Sequence, residues 1–242
     1  MKNILLLGLI LLGSLKVNAQ SPNYDDLKIL YADANYEKLV KAAEKYTLKE
    51  ETMSDPIPFI WLSKGLYKIS MTNTTDEKFR NAYMDALSAL ANAMKKDKKA
   101  NVLKDDPLSM EYITLFQNSL FDRLNAEYVG GNFIKVSTWA MKYQKITENV
   151  IGAKYLIGAC KYVKKDKGGA MKDWKEADKL AENINLDSFS EADKNIFKLG
   201  ILKSAESYVN LKQTDKGKTL LDKYADFFKE DEDFNTKYKE LF

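Results

Sequence analysis

Few side chains in this 242-residue chain are suited to catalysis, because it contains no histidine and only one cysteine. Histidine-dependent nucleophiles, histidine-ligated zinc or haem and histidine general bases are therefore excluded. Carboxylates are the main remaining candidates, in the pairs Glu50-Glu51 and Asp105-Asp106 and in the run Asp231-Glu232-Asp233. Sequence neighbours on a helix point in different directions, so we interpret these groups as helix caps and solvated turns.

Two further positions could carry chemistry. The pair Glu206-Ser207 resembles the Glu-Ser pair of α-helical lytic transglycosylases, but no Gly-Leu-Met-Gln type motif follows it. Cys160 ends the apolar stretch 155–160, where a buried and unreactive thiol is expected. The chain also lacks a glycine-rich phosphate loop and a calcium-loop spacing. We therefore expect no enzymatic activity, no cofactor and no metal site.

The elements that would position these residues are helices. Only 4 prolines and 11 glycines occur in the chain, and apolar residues recur at helical spacing almost throughout. Asp106-Pro107 predicts a helix start, and Ser190 with Asp193 predicts a capping box. We therefore expect an all-α fold, with helices at 23–33, 35–48, 57–71, 76–98, 107–129, 132–148, 151–164, 168–184, 190–212, 215–229 and 232–241.

The amino-terminal residues predict export. A positive start, an apolar run from Ile4 to Leu15 and the small-residue pattern ending at Ala19 are typical of a signal peptide spanning residues 1–19. Gln20 stands where a lipoprotein would carry its lipid-bearing cysteine. Removing Lys2 and Lys16 lowers the formal charge from +3 to +1, which argues against nucleic acid as a partner.

A residue pattern recurs along the remaining chain, 20–242. In the best case a small residue, Gly158, is followed after 12, 16 and 19 residues by Ala170, Trp174 and Ala177. The same offsets relate Ala205 to Gly217, Leu221 and Tyr224. The second-helix part of the pattern recurs at three earlier places, namely Leu39, Ala43 and Tyr46; Ala86, Leu90 and Ala93; and Val136, Ala140 and Tyr143.

This pattern resembles the tetratricopeptide repeat, a 34-residue helix-turn-helix unit. The resemblance covers nearly all of residues 20–242, although the proline that usually ends a repeat is absent and the second unit has an insertion at 72–77. It implies one domain, a right-handed α-solenoid of about five antiparallel helix hairpins. It also implies that the first helices line a partner-binding groove, whose candidate residues here are Phe121, Asn125, Tyr128, Tyr155 and Tyr162.

The resulting functional expectation is an exported scaffold in the periplasm, at the outer membrane or outside the cell. It would bind an envelope protein or peptide as part of an assembly or secretion complex, and would reach a membrane only through that partner. The basic runs 95–99 and 161–167 are interpreted as solvated helix ends. The alternative is a carbohydrate-binding or cell-wall-acting helical-repeat protein, which would need Trp61, Trp139 and Trp174 exposed for stacking on sugars.

Overall fold

The computed structural model of the protein describes residues 22–72 and 74–242, so the predicted signal peptide lies outside the described residues. The all-α prediction is confirmed for this part of the chain, which contains no β-strand. The eleven helices are α1 (Asp25–Ala32), α2 (Tyr36–Leu48), α3 (Ile57–Ser70), α4 (Ala82–Ala100), α5 (Pro107–Val129), α6 (Phe133–Tyr143), α7 (Ile151–Val163), α8 (Lys167–Leu180), α9 (Glu191–Asn210), α10 (Thr214–Asp222) and α11 (Glu232–Leu241).

Most helix boundaries lie close to the predicted ones, and three differ more widely. Helix α4 begins at Ala82 rather than at 76, because a separate short 3₁₀ helix, Glu77–Phe79, precedes it. Helix α6 stops at Tyr143 rather than at 148, because the buried Gln117 amide donates to the carbonyl of Ile146 at 2.8 Å and holds a turn there. Helix α10 stops at Asp222 rather than at 229, and turns connect it to α11. The predicted capping box is confirmed, with Ser190 and Asp193 bonding reciprocally at the start of α9.

Successive helices pack on one another along the chain. Helix α3 packs between α2 and α4, α6 packs between α5 and α7, and α7 packs against α8 and α9. Helix α9 also contacts α10, α11 and, less extensively, α5. Three clusters of apolar residues result, formed by α1–α3, by α2–α7 with the start of α9, and by α7–α11. Helices α7 and α9 contribute to two of these clusters and join the amino- and carboxyl-terminal halves.

The second-helix residues of the repeated pattern form much of these cores. Tyr46 is half-buried, and the buried members are Leu39, Ala43, Ala86, Leu90, Ala93, Val136, Ala140, Tyr143, Ala170, Trp174, Ala177, Gly217, Leu221 and Tyr224. The small residues permit close approach. A Cβ on Gly158 would lie 3.2 Å from the carbonyl of Ala170, and a Cβ on Gly217 would lie 2.9 Å from that of Ala205.

One turn geometry recurs at four connections, namely those that follow α1, α5, α7 and α9. Each contains a residue with positive φ: Ala34 (54°), Gly131 (70°), Lys165 (67°) and Lys212 (58°). In each turn, the residue after the one with positive φ donates its amide hydrogen to the carbonyl of the residue five positions before it. Examples are the bond from Asn132 to Glu127 at 2.9 Å and the bond from Asp166 to Lys161 at 3.0 Å. This is the Schellman motif, which satisfies the last carbonyls of a helix and reverses the chain.

Candidate functional site

Three of the predicted groove residues share one face of α5. Phe121, Asn125 and Tyr128 follow one another at intervals of four and three residues, and all three are half-buried. Phe121 and Tyr128 pack against the central apolar cluster, so part of each ring belongs to the core. The remaining exposed area of Phe121 and Asn125 is available to a partner.

The carboxyl-terminal end of α5 contacts α9. The ring of Tyr128 lies edge-on to Phe133 at 5.9 Å, and the ammonium of Lys203 on α9 lies 4.9 Å from the centre of the Phe133 ring. Lys203 also pairs with Glu206 at 2.8 Å. Burial, together with the charge of Glu206, raises the pKa of Tyr128 to about 12. The structure thus brings Tyr128 on α5 near Glu206 on α9.

The two predicted residues on α7 have different environments. Tyr155 is only 1% exposed, and its hydroxyl donates to Asp178 on α8 at 2.6 Å. It is a core residue and offers no surface to a partner. Tyr162 is half-buried, and its ring packs 6.2 Å from that of Trp174. Tyr155 is buried because α9 approaches α7 closely: a Cβ on Gly200 would lie 2.4 Å from the carbonyl of Gly152.

The tryptophans do not form an exposed stacking platform. Trp61 is 6% exposed and Trp174 is 1% exposed, so both are core residues. Trp139 is half-buried, and the ammonium of Lys142 lies 4.4 Å from the centre of its ring. Sugar stacking on Trp61 or Trp174 would require the core to open, which removes two of the three side chains on which the carbohydrate alternative depends.

Two of the side chains that sequence analysis considered for chemistry, Cys160 and Glu206, have different environments. Cys160 is buried, as predicted, and burial raises the pKa of its thiol to about 12. Glu206 is paired with Lys203, as described above. Within residues 22–72 and 74–242 there is no group of three or more cysteine, aspartate or glutamate residues arranged to hold a metal ion.

A cleft with a volume of about 950 Å³ lies elsewhere, between α4 and the turn that follows α6. Its α4 wall carries a stripe of apolar side chains, Met84, Leu87, Ala91 and Met94. Leu87 is only 3% exposed and belongs to the core, together with Ala86, Leu90 and Ala93 on the adjoining face of α4. Met84, Ala91 and Met94 are half-buried, and they pack against the same cluster with part of their surface while the rest lines the cleft. Helix α4 packs closely on α3, whereas a side-chain contact, Lys142 Nζ to Met84 Sδ at 3.4 Å, links it to α6. None of the predicted groove residues lines this cleft.

Four lysines line the cleft. Lys95 and Lys98 are exposed on α4, Lys142 lies near the end of α6, and Lys145 lies on the following turn. Burial and the neighbouring charge of Lys145 lower the pKa of Lys142. The two carboxylates in the lining are engaged elsewhere, because Asp97 accepts from the amides of Val102 and Leu103 and Glu148 pairs with Lys104. The cleft therefore favours an anionic ligand.

A buried hydrogen-bond network holds the turn that bounds this cleft. Asp193 at the start of α9 accepts from the hydroxyls of Tyr143 and Thr147, at 2.7 and 2.8 Å, and from the amide of Asn149 at 3.1 Å. The pKa of Tyr143 is raised by burial and by the adjacent Asp193 carboxylate. The turn also places Gln144 in the lining, with its buried Nε2 lacking an acceptor among the described residues.

Sequence analysis missed this cleft and interpreted run 95–99 only as a solvated helix end. The available signal was the spacing of Met84, Leu87, Ala91 and Met94, at i, i+3, i+7 and i+10 on α4, beside the row of Ala86, Leu90 and Ala93. Together these residues make one broad apolar face, and the half-buried Met84, Ala91 and Met94 form the edge of it that lines the cleft.

The chain matches no protein-family model, and no curated protein is significantly similar to it in sequence. Among the described residues, no helix is both long and apolar enough to span a membrane. The functional argument therefore depends on the fold and on its surfaces.

Proposed function

We propose that this protein is an exported helical-repeat scaffold of the tetratricopeptide type. In this proposal about five helix hairpins stack into a right-handed solenoid that binds another protein of the bacterial envelope. The binding surface lies on the first helices of the hairpins and includes Phe121, Asn125 and Tyr162. Tyr128 and Tyr155 support that surface from within.

The turn that recurs at four helix connections carries the proposal. Repeated hairpins need the same chain reversal each time, and the same pair of Schellman hydrogen bonds recurs after α1, α5, α7 and α9. Gly131 and Lys165 are 34 residues apart, which is the tetratricopeptide period. Lys165 and Lys212 are farther apart chiefly because α9 has 20 residues where α7 has 13, and in smaller part because α8 and the connection after it are also longer than α6 and its connection.

The setting of the candidate reactive groups supports binding rather than catalysis. Glu206 is neutralised by Lys203, and the thiol of Cys160 is buried and protonated at neutral pH. The half-buried Phe121 and Tyr162 instead offer aromatic surface with few rotatable bonds, which limits the entropy lost on binding.

Site-specific photocrosslinking in the source bacterium tests this proposal. A photoreactive amino acid is introduced at Phe121, Asn125 or Tyr162, and in a matched control at the exposed Lys175 on α8. We expect the first three positions to capture the same envelope protein and the control to capture none. The captured protein is identified by mass spectrometry.

Three results would contradict the proposal. Recovery of the protein from the cytoplasm with residues 1–19 still attached would exclude export. Equal capture from Lys175 would show that contact with the first-helix surface is not specific. Retention on cell-wall oligosaccharides, with no captured protein, would favour the carbohydrate-binding alternative.

A further inference from the structure

We propose that the cleft between α4 and the turn after α6 binds an amphipathic helix with acidic flanks, supplied by a partner protein. This site shares no residue with the first-helix surface, so it goes beyond the function proposed above. The inference combines the shape of the cleft, its apolar stripe and its charge.

The apolar stripe of α4 determines the form of the occupant. Met84, Leu87, Ala91 and Met94 repeat at the three- and four-residue spacing of one coiled-coil seam. Such a seam spans about 15 Å of helix and is complementary to another helix with the same spacing. Methionine side chains adapt to varied apolar partners. A cleft of about 950 Å³ is at the upper limit of small-molecule pockets, and an open helix-lined shape suits a peptide.

The flanking charges determine the chemistry of the occupant. Lys95 and Lys98 lie on the α4 side of the stripe, and Lys142 and Lys145 lie on the opposite wall. Carboxylates on both flanks of a bound helix would therefore meet ammonium groups.

A free phosphate or other small anion fits these observations less well. Its recognition requires cations that converge on one point, whereas these lysines are distributed along two walls with apolar side chains between them. A second copy of the chain is a further possible occupant, and the experiment below distinguishes it from a partner.

Fluorescence anisotropy with designed peptides tests the proposal on the purified protein. The probe is a labelled 18-residue helix with leucine at i, i+3, i+7 and i+10 and glutamate on both flanks. One control peptide has the same composition in scrambled order, and another has lysine in place of glutamate. Protein variant Lys95→Glu/Lys98→Glu reverses the charge on one wall. Its matched control, Lys175→Glu/Lys179→Glu, makes the same charge change at exposed positions on α8.

We expect saturable binding of the acidic amphipathic peptide alone, weakened at least tenfold by Lys95→Glu/Lys98→Glu and less than twofold by the α8 control. Circular dichroism verifies that both variants remain folded. A charge-neutral variant, Ala91→Trp, narrows the cleft and is expected to weaken binding to a similar extent.

Several outcomes would overturn the proposal. Absence of saturable binding up to millimolar peptide would do so, as would equal binding of the scrambled or basic peptide. If the α8 control weakened peptide binding equally, the effect would be explained by the overall charge of the protein and not by the cleft. If sedimentation showed a dimer that Lys95→Glu/Lys98→Glu dissociates, the occupant would be a second copy. None of these results depends on the crosslinking experiment, so the two proposals can fail separately.

Discussion

At the scale of single residues, Asp193 has two structural roles. Its carboxylate caps α9 and also accepts hydrogen bonds from Tyr143, Thr147 and Asn149, which hold the turn beside the cleft. It is 4% exposed, so its donors have little access to replacement water. A single side chain therefore links the end of α6 to the start of α9.

We expect Asp193→Ala to lower the free energy of unfolding by about 3 kcal/mol, because it leaves buried hydroxyl donors unsatisfied and removes a cap. Urea denaturation measures the change. The control is Asp166→Ala. Asp166 is an exposed cap whose carboxylate accepts one hydrogen bond, from the amide of Gly169 at 2.8 Å. Its loss should lower the free energy of unfolding by about 1 kcal/mol. Equal losses in the two variants would show that the buried network adds no stability.

At the scale of secondary-structure elements, the recurring turn makes a prediction with opposite signs at two sites. Gly131 has a φ of 70°, and no atom lies within 4 Å of the position that a Cβ would occupy. Gly131→Ala should therefore lower the free energy of unfolding by about 1 kcal/mol, through backbone strain and not through a steric clash. Lys165 has a φ of 67°, which glycine adopts without strain, although glycine also loses more backbone entropy on folding. With both effects included, Lys165→Gly should raise the free energy of unfolding by about 0.5 kcal/mol. Thermal denaturation of both variants shows whether each is less or more stable than the wild-type protein. Destabilisation by Lys165→Gly would contradict this account of the turn.

The cap of α11 predicts sensitivity to acid. Burial tends to raise the pKa of Asp231, but hydrogen bonds from Lys198 at 2.7 Å and from the amide of Phe234 at 2.9 Å outweigh it and hold the pKa below its usual value. The ionised form is therefore favoured in the folded state. Its contribution to stability is present above the unfolded pKa of about 3.9 and is lost as pH falls through the lower folded value.

We expect the urea midpoints of the wild-type protein and Asp231→Asn to differ at pH 6 and to converge as pH approaches 3. The control is Asp215→Asn, which changes an exposed carboxylate in the first turn of α10 and should follow the wild-type pH dependence. A constant difference between wild type and Asp231→Asn across this range would exclude titration of Asp231 as the cause.

At the scale of the whole molecule, α7 and α9 join the two larger apolar clusters. Amides in α7 should therefore exchange with solvent only through global unfolding, whereas α1 and α11, the first and last helices of the described residues, should exchange through local opening. Hydrogen exchange followed by mass spectrometry measures the order. Protection of α1 equal to that of α7 would show that the helices unfold as a single unit.

Much of the helical pattern could be predicted from the sequence because helix ends and core faces depend on nearby residues. The capping box of Ser190 with Asp193 and the burial of Cys160 are examples. The surfaces depend on contacts between distant helices. Tyr155 is buried because Gly200 admits α9, and the cleft exists because the turn after α6 stands beside α4. The spacing of residues along the chain does not reveal that α9 lies close to α7, or that the turn after α6 lies beside α4.

The lone buried thiol of Cys160 has a practical consequence for spectroscopy. The chain contains no other cysteine, and this one is buried and almost entirely protonated at neutral pH. The folded protein should therefore be silent to thiol-reactive dyes and spin labels. Cysteines introduced at the exposed Lys98 and Lys145, on opposite walls of the cleft, would accept a pair of labels without prior removal of the native cysteine. The distance between the two labels would then measure the width of the cleft in an otherwise unaltered molecule.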